Sequence, residues 1–136
     1  MGAWGTGVFD NDTACDWADD LAETNNLAAI EAALDKVLAT GAECIEAPDA
    51  EEALAAAEVI ARLQGNAGFS DAYIETINTW VEENKLNVSA ALANKACSAL
   101  ERILLEPSEL MELWEESDEF GVWKSVVENL KSRIRK

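Results

Sequence analysis

Apolar residues recur at helical spacing along almost the whole of this chain, and only Pro48 and Pro107 punctuate them. A stripe at i, i+3, i+4 and i+7 belongs to a helix with one face in a core, whereas a strand needs sustained alternation at period two, which no segment has. Asp10 or Asn11 can cap a first helix running to about Thr24, with Ala14, Trp17, Ala18 and Leu21 on one face and Phe9 placed to staple against Ala14. Asn26 opens a second, with Leu27, Ile30, Leu34, Val37 and Leu38 inward, ending near Gly41. Pro48 suits the first turn of a third, whose inward residues are Leu54, Ala57, Ile60, Ala61 and Leu63 before Gly65.

Ser70 or Asp71 can begin a fourth helix, carrying Ile74, Ile77 and Val81. A fifth spans Ser89 to Leu105 with Leu92, Ala96, Leu100, Ile103 and Leu104 on its stripe, and Pro107 breaks it. Ser108 then caps a short segment bearing Leu110, Leu113 and Trp114, and the last helix starts near Asp118 with Trp123, Val126, Val127, Leu130 and Ile134. Connections are short and no linker divides the chain. The expectation is one all-α domain over residues 1–136, built of six or seven short amphipathic helices, with residues 1–10 as a Gly/Trp-rich arm packed on the bundle.

Charge narrows the partners. The net charge is −17, and the basic residues Lys124, Lys131, Arg133, Arg135 and Lys136 crowd the last thirteen positions against only Glu128. The first 123 residues therefore hold 26 acids and five bases. Such a surface repels nucleic acid and anionic membranes and attracts a basic protein, although solubility alone also explains it. The basic tail complements the dipole of a C-terminal helix.

Cys15, Cys44 and Cys97 are odd in number, widely spaced and without a CxxC pair, so neither a disulfide framework nor a thiolate metal site is expected. There is no histidine, which removes Ser-His-Asp and Cys-His catalysis and the usual zinc and di-iron ligand sets. With no apolar run of membrane-spanning length and no leader pattern, a soluble cytoplasmic protein without a cofactor is expected.

The opening MGAWGTGVFDNDTACDW is the densest cluster of unusual residues. Met1 to Thr6 matches a myristoylation pattern, but one acyl chain binds membranes only marginally and this body has no adjacent basic patch. GAWGTG lacks the Gly-Lys-Ser/Thr ending of a phosphate loop. An EF-hand starting at Asp10 would place Cys15 where glycine belongs and Leu21 where the closing glutamate belongs. Two readings remain: glycines that let the arm fold back while Asp10, Asn11 and Asp12 satisfy helix N–H groups, or a small site lined by Trp4, Asp10, Asn11 and Asp12.

Asp16, Asp19, Asp20 and Glu23 share one helical face, and Glu109, Glu112, Glu115 and Glu116 form a similar group around Trp114. The Glu112, Glu115 and Asp118 spacing crudely fits carboxylates that hold magnesium in helical nucleotide pyrophosphohydrolases, but with 27 acids on helices such spacings arise freely. Of the five tryptophans, Trp17, Trp114 and Trp123 fall in or near apolar stripes. Trp80 is the one expected to be half exposed, where it would make a protein-binding hot spot.

The run Trp4-Gly5-x-Gly7-x-Phe9-x-Asn11-Asp12-x-Ala14-x-Asp16-Trp17 resembles a bacterial family classed as a domain of unknown function, whose members open MGxWGxGxFxNDxAxDW. Ser108-Glu109-Leu110-x-x-Leu113-Trp114-x-Glu116 is similar to that family's second signature, SELxxLWxE. The resemblance covers essentially the whole chain and implies a small, soluble, helical bacterial protein with no activity to transfer. The two signatures are expected to pack together, bringing Trp4, Asp12 and Trp114 near one another. Three functions follow as expectations: an acidic protein-binding module, such as an immunity or antitoxin-like inhibitor of a basic partner; a magnesium- or manganese-dependent hydrolase; or small-ligand binding beside the N-terminal loop. The candidate binding residues are Trp4, Asp10, Asn11, Asp12, Trp80 and Trp114.

Overall fold

The computed structural model describes residues 5–67 and 74–135, which form seven helices and no strand. In order these are α1 (Asp12–Leu21), α2 (Ala28–Ala39), α3 (Ala47–Leu63), α4 (Glu75–Glu83), α5 (Ala90–Ile103), α6 (Glu109–Glu115) and α7 (Phe120–Arg133). The expected openings at Ser70 or Asp71, and the acylation pattern at Met1 to Trp4, lie outside the described residues. None of the described helices is long and apolar enough to cross a membrane.

Helix α3 is the hub, packing against all six others. Its sequence explains this: from Ala53 to Arg62 every residue is buried, and half of those ten are alanine. Small side chains let neighbours approach on all sides, and a helix apolar all round belongs in the interior. The single inward face expected for this segment is therefore too narrow. Leu54, Val59 and Ile60 supply the bulk between alanines, each contributing about 2 kcal/mol through burial.

The hub also has the most definite ends. Pro48 lies in its first turn. At its far end Gly65 adopts a φ of 85°, its N–H reaches Arg62 O at 3.0 Å, and Asn66 N–H reaches Ala61 O at 2.8 Å. That Schellman turn needs a left-handed residue, which glycine supplies without strain. It turns Asn66 toward α7, where Asn66 Nδ2 donates to Arg133 O at 3.0 Å.

Local caps follow the chemistry of the sequence at two helices. Asn11, rather than Asp10, caps α1, accepting from Ala14 N–H at 2.8 Å, and Ser89 caps α5, accepting from Leu92 N–H at 3.1 Å. Ser108 departs from expectation. It occupies the N-cap position of α6, yet its side chain makes no cap bond and its Oγ is buried without a partner. The reason is tertiary: Ile45 and Ser108 form an isolated parallel bridge, with Ile45 N–H donating to Pro107 O at 3.2 Å and Glu109 N–H to Ile45 O at 2.9 Å. Arg102 fastens this junction by donating to the carbonyls of Gly41, Glu43, Leu105 and Pro107.

Trp80 also departs from expectation. It is 3% exposed, and its indole N–H donates to Thr24 O at 2.8 Å, tying α4 to the end of α1. Its polar edge is spent on the fold, so it offers no surface hot spot.

Candidate functional site

Residues Gly5–Asp10 fold back against the bundle through a turn built on Asp10. Asp10 N–H donates to Gly7 O at 3.0 Å, and Asp10 Oδ2 accepts from Gly7 N–H at 2.9 Å. Asn11 Nδ2 donates to Val8 O at 3.3 Å, Cys15 Sγ donates to Phe9 O at 3.2 Å, and Phe9 itself is buried. Asp10 thus closes the turn on itself, while Asn11 and Cys15 tie the arm to the start of α1 by each donating to a backbone carbonyl of the turn.

On its inner side the arm reaches α6. Gly5 to Val8 and Asn11 share a void of only about 10 Å³ with Leu110, Trp114 and Trp123, which makes this a packed seam with no room for a ligand. Trp114 is 5% exposed and stacks on Trp123, with ring centroids 6.2 Å apart and planes inclined by 11°. The two sequence signatures therefore do meet, where Gly5 to Val8 and Asn11 line one seam with Leu110 and Trp114. Trp4 lies outside the described residues, and Asp12 is exposed in the first turn of α1.

On its outer side the arm forms one wall of a cleft of about 490 Å³ whose opposite wall is α7. Thr6 to Asp10 line the first wall, and Val122, Ser125, Val126, Asn129 and Arg133 the second; Glu58 of α3 and Ile74 complete it. Arg133 grips Glu58 with both ends of its guanidinium, at 2.9 Å to Oε2 and 2.7 Å to Oε1, while Arg62 Nε donates to Oε2 at 2.9 Å. Arg62 also donates to Asn78 Oδ1 at 2.7 Å, and Arg133 Nε to Asn129 Oδ1 at 2.9 Å. Glu58 and Arg62 are buried, so this pairing lies in the low-dielectric interior where a carboxylate must have its partners.

This network was not anticipated. The available signal is that Glu58 and Arg62, at i and i+4, are the only charges between Ala53 and Leu63. A charged pair inside an otherwise unbroken apolar run marks a helix buried on that side too. Nothing local points to Arg133, seventy-five residues from Glu58.

The carboxylates expected to form faces do so. Every acidic residue from Asp12 to Glu23 and from Glu106 to Glu119 is exposed. Between the two groups stands Glu51 of α3, half-buried and close to both: Thr13 hydrogen-bonds it and Glu109 repels it. Burial, reinforced by Glu109, holds the Glu51 carboxyl above its ordinary range despite the Thr13 bond. Burial likewise pushes the Cys15 thiol up, and Asp19, Asp12, Asp16 and Asp10 push it further, so this cysteine is no thiolate nucleophile. Among the described residues no group of three or more His, Cys, Asp or Glu is placed to hold a metal ion; Glu112, Glu115 and Asp118 are exposed and are not gathered into a ligand set.

A model of the DUF4259 family, a domain of unknown function, matches residues 2–126. The chain belongs to this family. The DUF4259 match takes in the arm, the hub helix and the start of α7, and stops short of Asn129, Arg133 and the basic tail. No curated protein and no solved structure matches this DUF4259 chain.

Proposed function

We propose that this DUF4259 protein is a non-enzymatic binding module that docks a basic partner protein, in the manner of an inhibitor of a cationic enzyme. The face it would use comprises the exposed carboxylates of α1 and α6, with Glu51 of α3 between them. The observation that carries the reading is the absence of internal neutralisation there. Residues 1–35 and 103–123 contain no lysine or arginine, and the ion pairs of the described residues fall elsewhere. Lys36 serves Asp49 and Glu52, Lys95 serves Asp35, Lys131 serves Glu101, and Arg62 and Arg133 serve Glu58. A one-signed patch left unpaired focuses potential outward and speeds capture of a cationic partner. Cys15, Cys44 and Cys97 are free thiols, which fits residence in a reducing cytoplasm.

The test is a pull-down from native lysate at low and high salt, using the wild-type chain and a variant with Asp12, Asp16, Glu112 and Glu115 each replaced by Lys; Glu109 is kept because its Oε1 accepts from Ala47 N–H at 2.7 Å. A basic protein retained by the wild type at low salt, and lost both at high salt and with the variant, is the expected result. A partner that stays bound at high salt and to the variant would remove charge from the recognition.

A further inference from the structure

The cleft between the arm and α7 lies across the arm from the α6 seam, and chemically it is unlike the acidic face. Its volume of about 490 Å³ is within the usual range for small-molecule sites, about 300–1,000 Å³. Val8, Phe9, Ile74, Val122 and Val126 give it apolar walls, and Val122 is left 56% exposed there although it is a large aliphatic residue. Every charge that the described residues place on these walls is already committed. Glu58 accepts from Arg133 through both carboxylate oxygens and from Arg62 through one. Arg133 also gives Nε to Asn129 Oδ1 and Nη1 to Asn66 O. Asp10 Oδ2 accepts from Gly7 N–H, and the backbones of Gly5 and Gly7 close around that oxygen. What stays open is polar but neutral: the Thr6 and Ser125 hydroxyls, on opposite walls, bond to none of the described residues.

We propose that this cleft binds an uncharged small molecule, an apolar body carrying a hydroxyl group, with the body seated on Val8, Val122 and Val126 and the hydroxyl taking the bonds left open at Thr6 and Ser125. Removing the apolar body from water drives the association. The ligand's hydroxyl meets groups that can both donate and accept, so it keeps its hydrogen bonds on entry. An ion of either sign would shed water and find no counter-charge, because drawing on Glu58 or Arg133 would leave the other of that buried pair without its partner. The same pair gives the cleft a fixed floor, so seating the ligand requires little rearrangement of α3 or α7.

Three probes with one skeleton separate the possibilities: 4-phenylbutanol, 4-phenylbutyrate and 4-phenylbutylammonium, each titrated by calorimetry and followed by backbone amide NMR. The alcohol should bind about ten-fold or more tighter than either ion, since only the ions lose hydration that the cleft does not replace. Its shifts should map to Thr6–Asp10 and to the Val122–Asn129 stretch of α7. Thr6→Val combined with Ser125→Ala, which removes the two open hydroxyls and leaves the apolar walls, should weaken the alcohol several-fold. Val122→Asp, in the first turn of α7 where an acid suits the helix, puts a charge on the apolar wall and should weaken it about ten-fold or more. Either ion binding as tightly as the alcohol, no binding of the alcohol, shifts that map elsewhere, or a double variant that binds like the wild type would overturn the proposal. Binding of an uncharged probe is indifferent to salt, whereas docking through the acidic face is screened by it, so failure of one reading is distinguishable from failure of the other.

Discussion

A Cβ added at Gly7 would sit 2.7 Å from Asp10 Oδ2, and one added at Gly5 only 2.5 Å. At either position something must shift, and what stands in the way is the end of the Asp10 side chain, a carboxylate already bonded to Gly7 N–H. The arm's glycines thus let the chain wrap closely around the Asp10 carboxylate. Gly7→Ala should force Asp10 to turn away and lose that bond, destabilising the protein by about 1 kcal/mol. Denaturant unfolding measures this directly. Unchanged stability would mean that the Asp10 turn contributes nothing. Ser108 shows the opposite relation at the same scale: an N-cap residue type in an N-cap position whose hydroxyl is buried unpartnered, because the backbone beside it is held by Ile45.

Among elements, α3 and α7 are joined by charge as well as by packing. Glu58 accepts from both Arg62 and Arg133, and Gln64 clasps the backbone of Arg135 in both directions, at 2.7 and 2.8 Å. A buried pair of this kind adds little over an apolar replacement of both partners, but removing one partner strands the other. Glu58→Ala should therefore cost about 3–5 kcal/mol, far more than Asp35→Ala, whose pair with Lys95 is exposed and screened by solvent. Comparing the two unfolding midpoints checks the ranking. Similar midpoints would show that the α3–α7 connection rests on packing alone.

For the molecule as a whole, the excess of carboxylates makes stability depend on pH, and Glu51 shows the sign. Folding raises its pKa, so the folded state holds that proton more tightly than the unfolded chain. Glu51 therefore opposes folding above its folded value, and the opposition fades as pH falls through that value toward its unfolded one, about 4.3. Glu51→Gln should raise the melting temperature by roughly one to three degrees at neutral pH, with the gain disappearing below about pH 4. A gain that is the same at both pH values would assign it to packing and exclude charge. Glu51 stands where α1 and α6 approach, so the same variant reports on the acidic face proposed for docking.

Most of the helices were legible in the sequence because helix formation is a local affair. Spacings of three and four residues give the period and the buried stripe, Asn11 and Ser89 announce starts, and Gly41 and Gly65, both at positive φ, mark stops. What only the tertiary structure decided is how the stripes meet. It made α3 the hub, because alanines that look like one face admit neighbours on every side. It buried Trp80, whose indole finds its acceptor fifty-six residues away at Thr24. It left Ser108 uncapping, and it carried Arg133 across seventy-five residues to Glu58, creating the floor of the cleft. The residues that form the arm's turn are contiguous, so Asp10 and Asn11 could be singled out beforehand. The cleft's other wall could not, because periodicity fixes which face of a helix is buried but carries no information about which partner buries it.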